Sequence, residues 1–310
     1  MVEDYSSRAI TKGSDRLPAL SGLAHATIES SKDVYMAGIW KSSLMEGLSW
    51  CGRQGAGSLG KHDEYIAPSF SWASVVGPVL FPLYQWYDRA QWVSNMADFE
   101  PLATCIGHEF QLRDQDPNGR LEGGCLHLRA ALWPISAIEP RQAEDPEITP
   151  DYYFGNAPER SVLTNKTICA RYMQRYKKTT QIWIEGGFDV SPNESEDFSS
   201  RNLFIIFLVR LPFILENGFL EYRFGIIVEQ VGLGATYRRV GFVDGFILSK
   251  AHSTVMRKLM KFAESEGAEL FGVQGFRRPL SEGDLQNTER LNDLASDPFT
   301  TVELTDITLI

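Results

Sequence analysis

The chain has 310 residues, with 30 basic and 40 acidic side chains for a formal charge of −10, 43% apolar residues and 23% charged ones. That balance excludes a disordered tail, a collagen-like repeat and a disulfide-dense miniprotein. At about 150 residues per domain, the length predicts one large or two modest domains, with a real core available.

Residues 1–65 read as helical. Ser14 or Asp15 offers a cap, and Pro18 falls in the first turn, where a missing N–H is harmless. Leu17, Leu20, Ala24 and Ile28 recur at helical spacing. A second helix is predicted to start near Asp33, with Ala37, Trp40, Leu44, Leu48 and Cys51 on one stripe. Short amphipathic helices of this kind must bury their stripes on something, so they are docked elements, with part of their face expected to stay exposed. Gly52 to Gly60 then reads as a flexible glycine-rich loop.

From residue 66 the pattern becomes strand-like. Phe110 to Leu112 and Leu126 to Ala130 alternate as half-buried strands do, and Gln181 to Ile184 and Leu203 to Leu211 are rich in β-branched and aromatic residues. Phe219–Val231 and Tyr237–Phe246 flank the short connection Gly232–Thr236, a hairpin by length and composition. Lys250 to Glu266 is predicted as one late helix, and Thr301 to Ile310 as a terminal strand. The stretch around Arg141 to Pro146 and the segment Asp189 to Asp197 read as exposed loops. Because strands follow one another through short turns, the expected fold is α+β: N-terminal helices packed on a mostly antiparallel β-sandwich or open barrel.

Charge is blocky. Glu139–Glu159 holds six acidic residues and one basic, whereas Arg160–Lys178 holds six basic residues and no acidic ones. The basic stretch interleaves Tyr172 and Tyr176, but the acidic balance of the whole chain opposes polyanion binding, so no nucleic-acid partner is expected. The longest apolar run, Leu203–Leu215, is 13 residues long and contains Arg210 and Pro212, so no helical membrane span is expected. The first residues show no basic stretch followed by an apolar run, so a cytoplasmic chain with Cys51, Cys105, Cys125 and Cys169 reduced is expected.

Several motifs suggest chemistry. Gly55-Ala56-Gly57-Ser58-Leu59-Gly60-Lys61 has phosphate-loop spacing, but His62 follows the lysine where a hydroxyl is needed, and the loop follows a predicted helix and runs into an extended segment. Gly47-Leu48-Ser49-Trp50-Cys51 imitates a nucleophile elbow but ends in cysteine. The histidines are His25, His62, His108, His127 and His252, none with H-x-x-x-H spacing. His108-Glu109 with Cys125 and His127 is the one constellation that neighbouring strands would bring together. The residues by themselves assign no catalytic, cofactor-binding or metal-binding role.

Three stretches in order carry a family resemblance. They are Val2–Arg8 leading to Asp15-Arg16-Leu17-Pro18-Ala19-Leu20-Ser21-Gly22-Leu23-Ala24, then Tyr35-Met36-Ala37-Gly38-Ile39-Trp40 leading to Leu48-Ser49-Trp50-Cys51, then Ala67-Pro68-Ser69-Phe70-Ser71-Trp72-Ala73-Ser74-Val75 before Gly77-Pro78-Val79, all within residues 2–79. This order resembles fungal heterokaryon-incompatibility (HET) proteins, at and just after the end of the HET domain. The resemblance implies residues 1–65 continuing from a HET-type domain and residues 66–310 forming a β-rich C-terminal domain. It also implies a non-enzymatic recognition or regulatory module that lacks the effector core, with a protein partner and no cofactor. Two alternatives stand beside it. One is a β-rich module binding a small ligand or carbohydrate through aromatics such as Trp133 or Trp183. The other is a hydrolase centred on His108/His127.

Overall fold

The computed structural model describes residues 1–8, 10, 12–52, 59–83, 100–137, 151–154, 161–163, 167–172, 180–190, 201–215, 218–249 and 303–310; over 136–186, 211–222 and 246–249 it describes the backbone alone. The late helix expected over Lys250 to Glu266 and the acidic loop around Arg141 to Pro146 lie outside these residues.

The N-terminal part is a set of short elements: α1 (Val2–Ser6), a 3-10 turn (Gly13–Asp15) and α2 (Pro18–Ser31). Pro18 opens α2 as expected, and Lys32 closes it at φ 60, its N–H donating to Ile28 O. Leu17 and Ala24 are buried, while Leu20 is packed at the edge of the core.

The second helix is not formed as predicted. Instead β1 (Tyr35–Met36) and β2 (Ile39–Trp40) make a hairpin around Ala37 (φ 52) and Gly38 (φ 94). Positive φ at both central positions suits a two-residue hairpin turn and breaks a helix. Asp33 reinforces the departure: its carboxylate accepts from the N–H groups of Val34 (2.7 Å) and Ser42 (3.1 Å) and from the Ser42 hydroxyl. Such side-chain bonds compete directly with helical ones. Only the end of the predicted stripe is helical, in a 3-10 turn (Lys41–Ser43) and α3 (Leu44–Leu48). Leu44 and Leu48 are nevertheless buried, so the stripe residues are covered and not left as an exposed apolar face.

The glycine-rich segment is flanked by β3 (Cys51–Gly52) and β4 (Gly60–Lys61). These pair with β6 (Val79–Leu80) and β5 (Val75–Val76) respectively. Lys61 thus stands on a strand, where a phosphate loop would open a helix.

The remaining strands form one twelve-stranded sheet: β7 (Glu100–Pro101), β8 (Thr104–Leu112), β9 (Leu121–Ala131), β10 (Trp133–Ala137), β11 (Asp151–Phe154), β12 (Ser161–Leu163), β13 (Thr167–Tyr172), β14 (Thr180–Phe188), β15 (Leu203–Leu215), β16 (Gly218–Gln230), β17 (Thr236–Ser249) and β18 (Leu304–Leu309). Its path runs β14-β13-β12-β11-β10-β15-β16-β17-β18-β9-β8, with β7 beside β15 and a further pairing of β14 with β17. Every pairing in it is antiparallel except β17 with β18.

Among the described residues these strands share one mixed, mostly antiparallel sheet, so the two packed sheets of a sandwich are not formed. Where its side chains are described, the β15–β16–β17 meander is largely buried on both faces. Ile206, Leu208, Phe224, Ile226 and Val228 join one cluster with Leu48, Trp50, Phe70 and Trp72. The alternate residues Leu203, Ile205, Phe207 and Ile227 are buried too, on the opposite face, where Ile205 stands in register between Trp133 and Ile227. A strand covered on both sides reads as an unbroken apolar run, which is what Leu203–Val209 is. The core cluster also runs from Leu17 through to Leu309, so it bridges the two sides of residue 65.

An ion-pair cluster at the start of the meander gives a pH prediction. Arg201 contacts both carboxylate oxygens of Glu229 (2.8 and 2.9 Å) and Arg238 adds a third bond (2.7 Å). Burial pushes the Glu229 carboxyl up, but the bonds from Arg201 and Arg238 outweigh it and hold it below the usual carboxylate range. A depressed folded-state pKa stabilises above the unfolded value, about 4.3, and that stabilisation is lost as pH falls through the folded one. Glu229→Gln is therefore expected to lower the melting temperature at pH 7. The gap to the wild type should close below about pH 4. A gap that persists unchanged at pH 3 would show that the charge contributes nothing.

Candidate functional site

The outer surface of β8, β9 and β18 carries the constellation singled out in the sequence. In the β8–β9 register Gly107 stands opposite His127, His108 opposite Leu126 and Glu109 opposite Cys125. Directly opposed residues share a face, and neighbours along a strand alternate. Glu109, Cys125 and His127 therefore project from one face. His108 belongs to the other, beside Phe110 (ring centroids 5.8 Å apart) and opposite the buried Leu126.

This corrects the hydrolase expectation in one respect. His108 and His127 do not converge, because they sit on opposite sides of the β8–β9 ribbon. His127 instead meets Cys125 and Glu109. Its Nε2 lies 3.7 Å from Cys125 Sγ and 3.5 Å from Glu109 Oε1, and the ligand atoms of all three residues lie within 4.8 Å of one another. Glu109 is 79% exposed and His127 33%, so the cluster opens to solvent on one side.

Two residues that sequence reasoning did not single out shape the cluster. Thr308 is paired with His127 across β9 and β18, and its Oγ1 lies 3.2 Å from His127 Nδ1. Gly107 leaves the space into which the imidazole leans, since a Cβ there would stand 3.2 Å from His127 Cδ2. The glycine opposite a histidine is visible only once the register is known. Thr308 is separated from His127 by 181 positions, and no spacing rule connects them.

The electrostatics suit a cation. Burial pushes the Cys125 thiol up, and the nearby Glu109 carboxylate pushes it further, so Cys125 is not an activated nucleophile by itself. Arg129, two residues along β9 from His127, is engaged by Asp306 through Nε (2.7 Å) and Nη2 (3.0 Å), so its charge is matched.

Other sequence candidates lie elsewhere. Ser49 is buried, its hydroxyl donating to Glu46 O (2.6 Å), which is a structural use. His62 Nε2 lies 3.2 Å from Ala73 O, and His25 sits 3.6 Å from Asp116 at the β8–β9 tip. That tip is docked to the N-terminal part, with Ser21 donating to Asp116 Oδ2 (2.5 Å) and Arg120 to Asp15 Oδ1 (2.9 Å). Among the aromatics named for a sugar site, Trp133 is half-buried on β10, and the Trp183 side chain lies outside the described residues. Cys51 is buried, Cys105 and Cys125 are partly exposed, and all three are free thiols.

No helix among the described residues is long and apolar enough to cross a membrane. No family model matches the chain, and neither a curated protein nor a solved structure matches it.

Proposed function

We propose that this chain is a β-rich binding module for a small ligand, held on the outer face of β8, β9 and β18. The observation that supports it is the meeting of Glu109, Cys125 and His127 from two strands at one solvent-open point, with Thr308 behind the imidazole. Side chains of three different chemistries are placed by backbone register, a more rigid support than a loop. A thermal-shift panel on the full chain tests this, using divalent metal salts, phosphate, simple carboxylates and monosaccharides. At least one probe is expected to raise the melting temperature of the wild type and not that of His127→Ala. At a hundredfold excess over Kd the gain is about 2.7 kcal/mol. A panel in which nothing shifts, or in which both proteins shift equally, overturns the reading.

A second reading is the recognition or regulatory module of a HET-type incompatibility protein, with a protein partner. Its support is the resemblance over residues 2–79. Within that stretch Trp50, Phe70, Ser71 and Trp72 are fully buried, so part of the resembling sequence builds the core. In this reading a partner would bind whether or not His127 is intact. Pull-down of a HET domain by both the wild type and His127→Ala would favour it. Failure of both would count against it.

A further inference from the structure

We propose that the Cys125 thiolate, His127 Nε2 and the Glu109 carboxylate bind one zinc-class divalent cation, with Thr308 orienting the imidazole. This rests on the binding-module reading above and names the ligand class. The first argument is distance. Tetrahedral zinc has bonds of about 2.3 Å to sulfur and about 2.0–2.2 Å to nitrogen and oxygen, which makes ligand-to-ligand edges of about 3.6 Å (S to N) and about 3.4 Å (N to O). The corresponding separations are 3.7 Å and 3.5 Å. Two of the three edges therefore already have the length such a tetrahedron needs, and the third, from Cys125 Sγ to Glu109, is within 4.8 Å.

The second argument is the donor set. Sulfur, imidazole and carboxylate together suit zinc, whereas all-oxygen sites suit magnesium or calcium. The third is the buttress. With the Nδ1 hydrogen donated to Thr308 Oγ1, the Nε2 lone pair faces Cys125 and Glu109, which is the outer-shell pattern of metal-bound histidine. The fourth is the absence of crowding: Gly107 gives the ring its room, and the Arg129 charge is matched by Asp306. Among the described residues no second group of this kind occurs. Binding forms the metal–sulfur, metal–nitrogen and metal–oxygen bonds, and the Cys125 proton passes to solvent. Three protein donors leave a fourth position for water or a group from a bound molecule.

The test uses the reduced full chain and two probes, Zn²⁺ and Co²⁺. Zn²⁺ is expected to bind at one equivalent in competition with a chromophoric chelator. Co²⁺ should give a thiolate-to-cobalt charge-transfer band and the visible bands of tetrahedral coordination. Cys125→Ser removes the charge-transfer band. Glu109→Gln, at an exposed edge-strand position that should not disturb folding, weakens Zn²⁺ binding while keeping that band. Thr308→Val keeps the fold and weakens binding by about tenfold or more. A folded, reduced wild type that gives no thiolate band overturns the proposal, as does a band that survives Cys125→Ser. If the metal arms fail while a non-metal probe still protects the wild type in a His127-dependent way, the zinc assignment falls and the binding-module reading stands. If no probe protects, both fall.

Discussion

Replacing Arg239 with methionine is expected to cost about 3–5 kcal/mol of folding stability, the usual result of removing one partner of a buried ion pair. Arg239 is fully buried and holds three parts of the chain together. Its Nε and Nη2 donate to both oxygens of Asp189 (2.8 and 2.9 Å). Nη1 donates to Leu48 O (2.6 Å), and Nη2 also donates to Trp50 O. The guanidinium lies 3.4 Å from the centre of the Trp50 ring, and the Arg239 backbone N–H reaches Ser69 Oγ (2.8 Å). Methionine would fill much of the space, yet it would strand the Asp189 carboxylate and two carbonyls without donors. Burial pushes the Asp189 carboxyl up even with the guanidinium present. Urea unfolding of Arg239→Met, Asp189→Asn and the double variant measures the coupling. The double variant should be more stable than the sum of the single losses predicts, and the effect should barely change with salt, because a buried pair is poorly screened. Strict additivity would show that the contact carries no stability.

Trp72→Ala is the second large loss, expected at about 3–5 kcal/mol from removal of a fully buried indole. The ring packs edge-on to Tyr5 (5.9 Å), lies under the Arg16 guanidinium (5.2 Å) and donates from Nε1 to Gly38 O (2.9 Å). It therefore supports α1, the turn before α2 and the β1–β2 hairpin at once. Gly38 has no space for a side chain because a Cβ there would stand 2.5 Å from Trp72 Nε1. Trp72→Phe keeps most of the packing and gives up the Nε1 bond, so a smaller loss of about 1 kcal/mol is expected beyond the volume change. The order wild type, Trp72→Phe, Trp72→Ala in urea midpoint checks this. An alanine variant within 1 kcal/mol of the wild type would sink the claim that this ring is a hub.

Much of the sheet was legible in the chain because strand formation is local. The alternation at Leu126–Ala130, the apolar run from Leu203 and the short Gly232–Thr236 connection all appear as strands or turns where they were read. The site was legible in part. His127, Cys125 and Glu109 were named together, but periodicity could not say that His108 would fall on the opposite face. That depends on a one-residue choice of register. Ala37, Trp40, Leu44 and Leu48 have helical spacing, but the Asp33 side-chain bonds and the Ala37-Gly38 turn decide against a second helix there. Polar neighbours suggest an exposed loop at Asp189, since aspartate beside a polar run usually faces water, yet it is buried. Its partner, Arg239, is 50 positions away and could not be inferred.

By itself the sequence determined the mixed α and β content, the mostly antiparallel pairing and the three side chains able to gather at one point. Those properties depend on neighbours a few residues apart. Only the tertiary structure decided that the strands share one sheet with Leu203–Val209 covered on both faces, that Thr308 stands behind His127 and that Arg239 ties Asp189 to the segment around Trp50. Each of these joins residues far apart in the chain, and long-range contacts of that kind are selected by the burial of whole surfaces and not by local pattern.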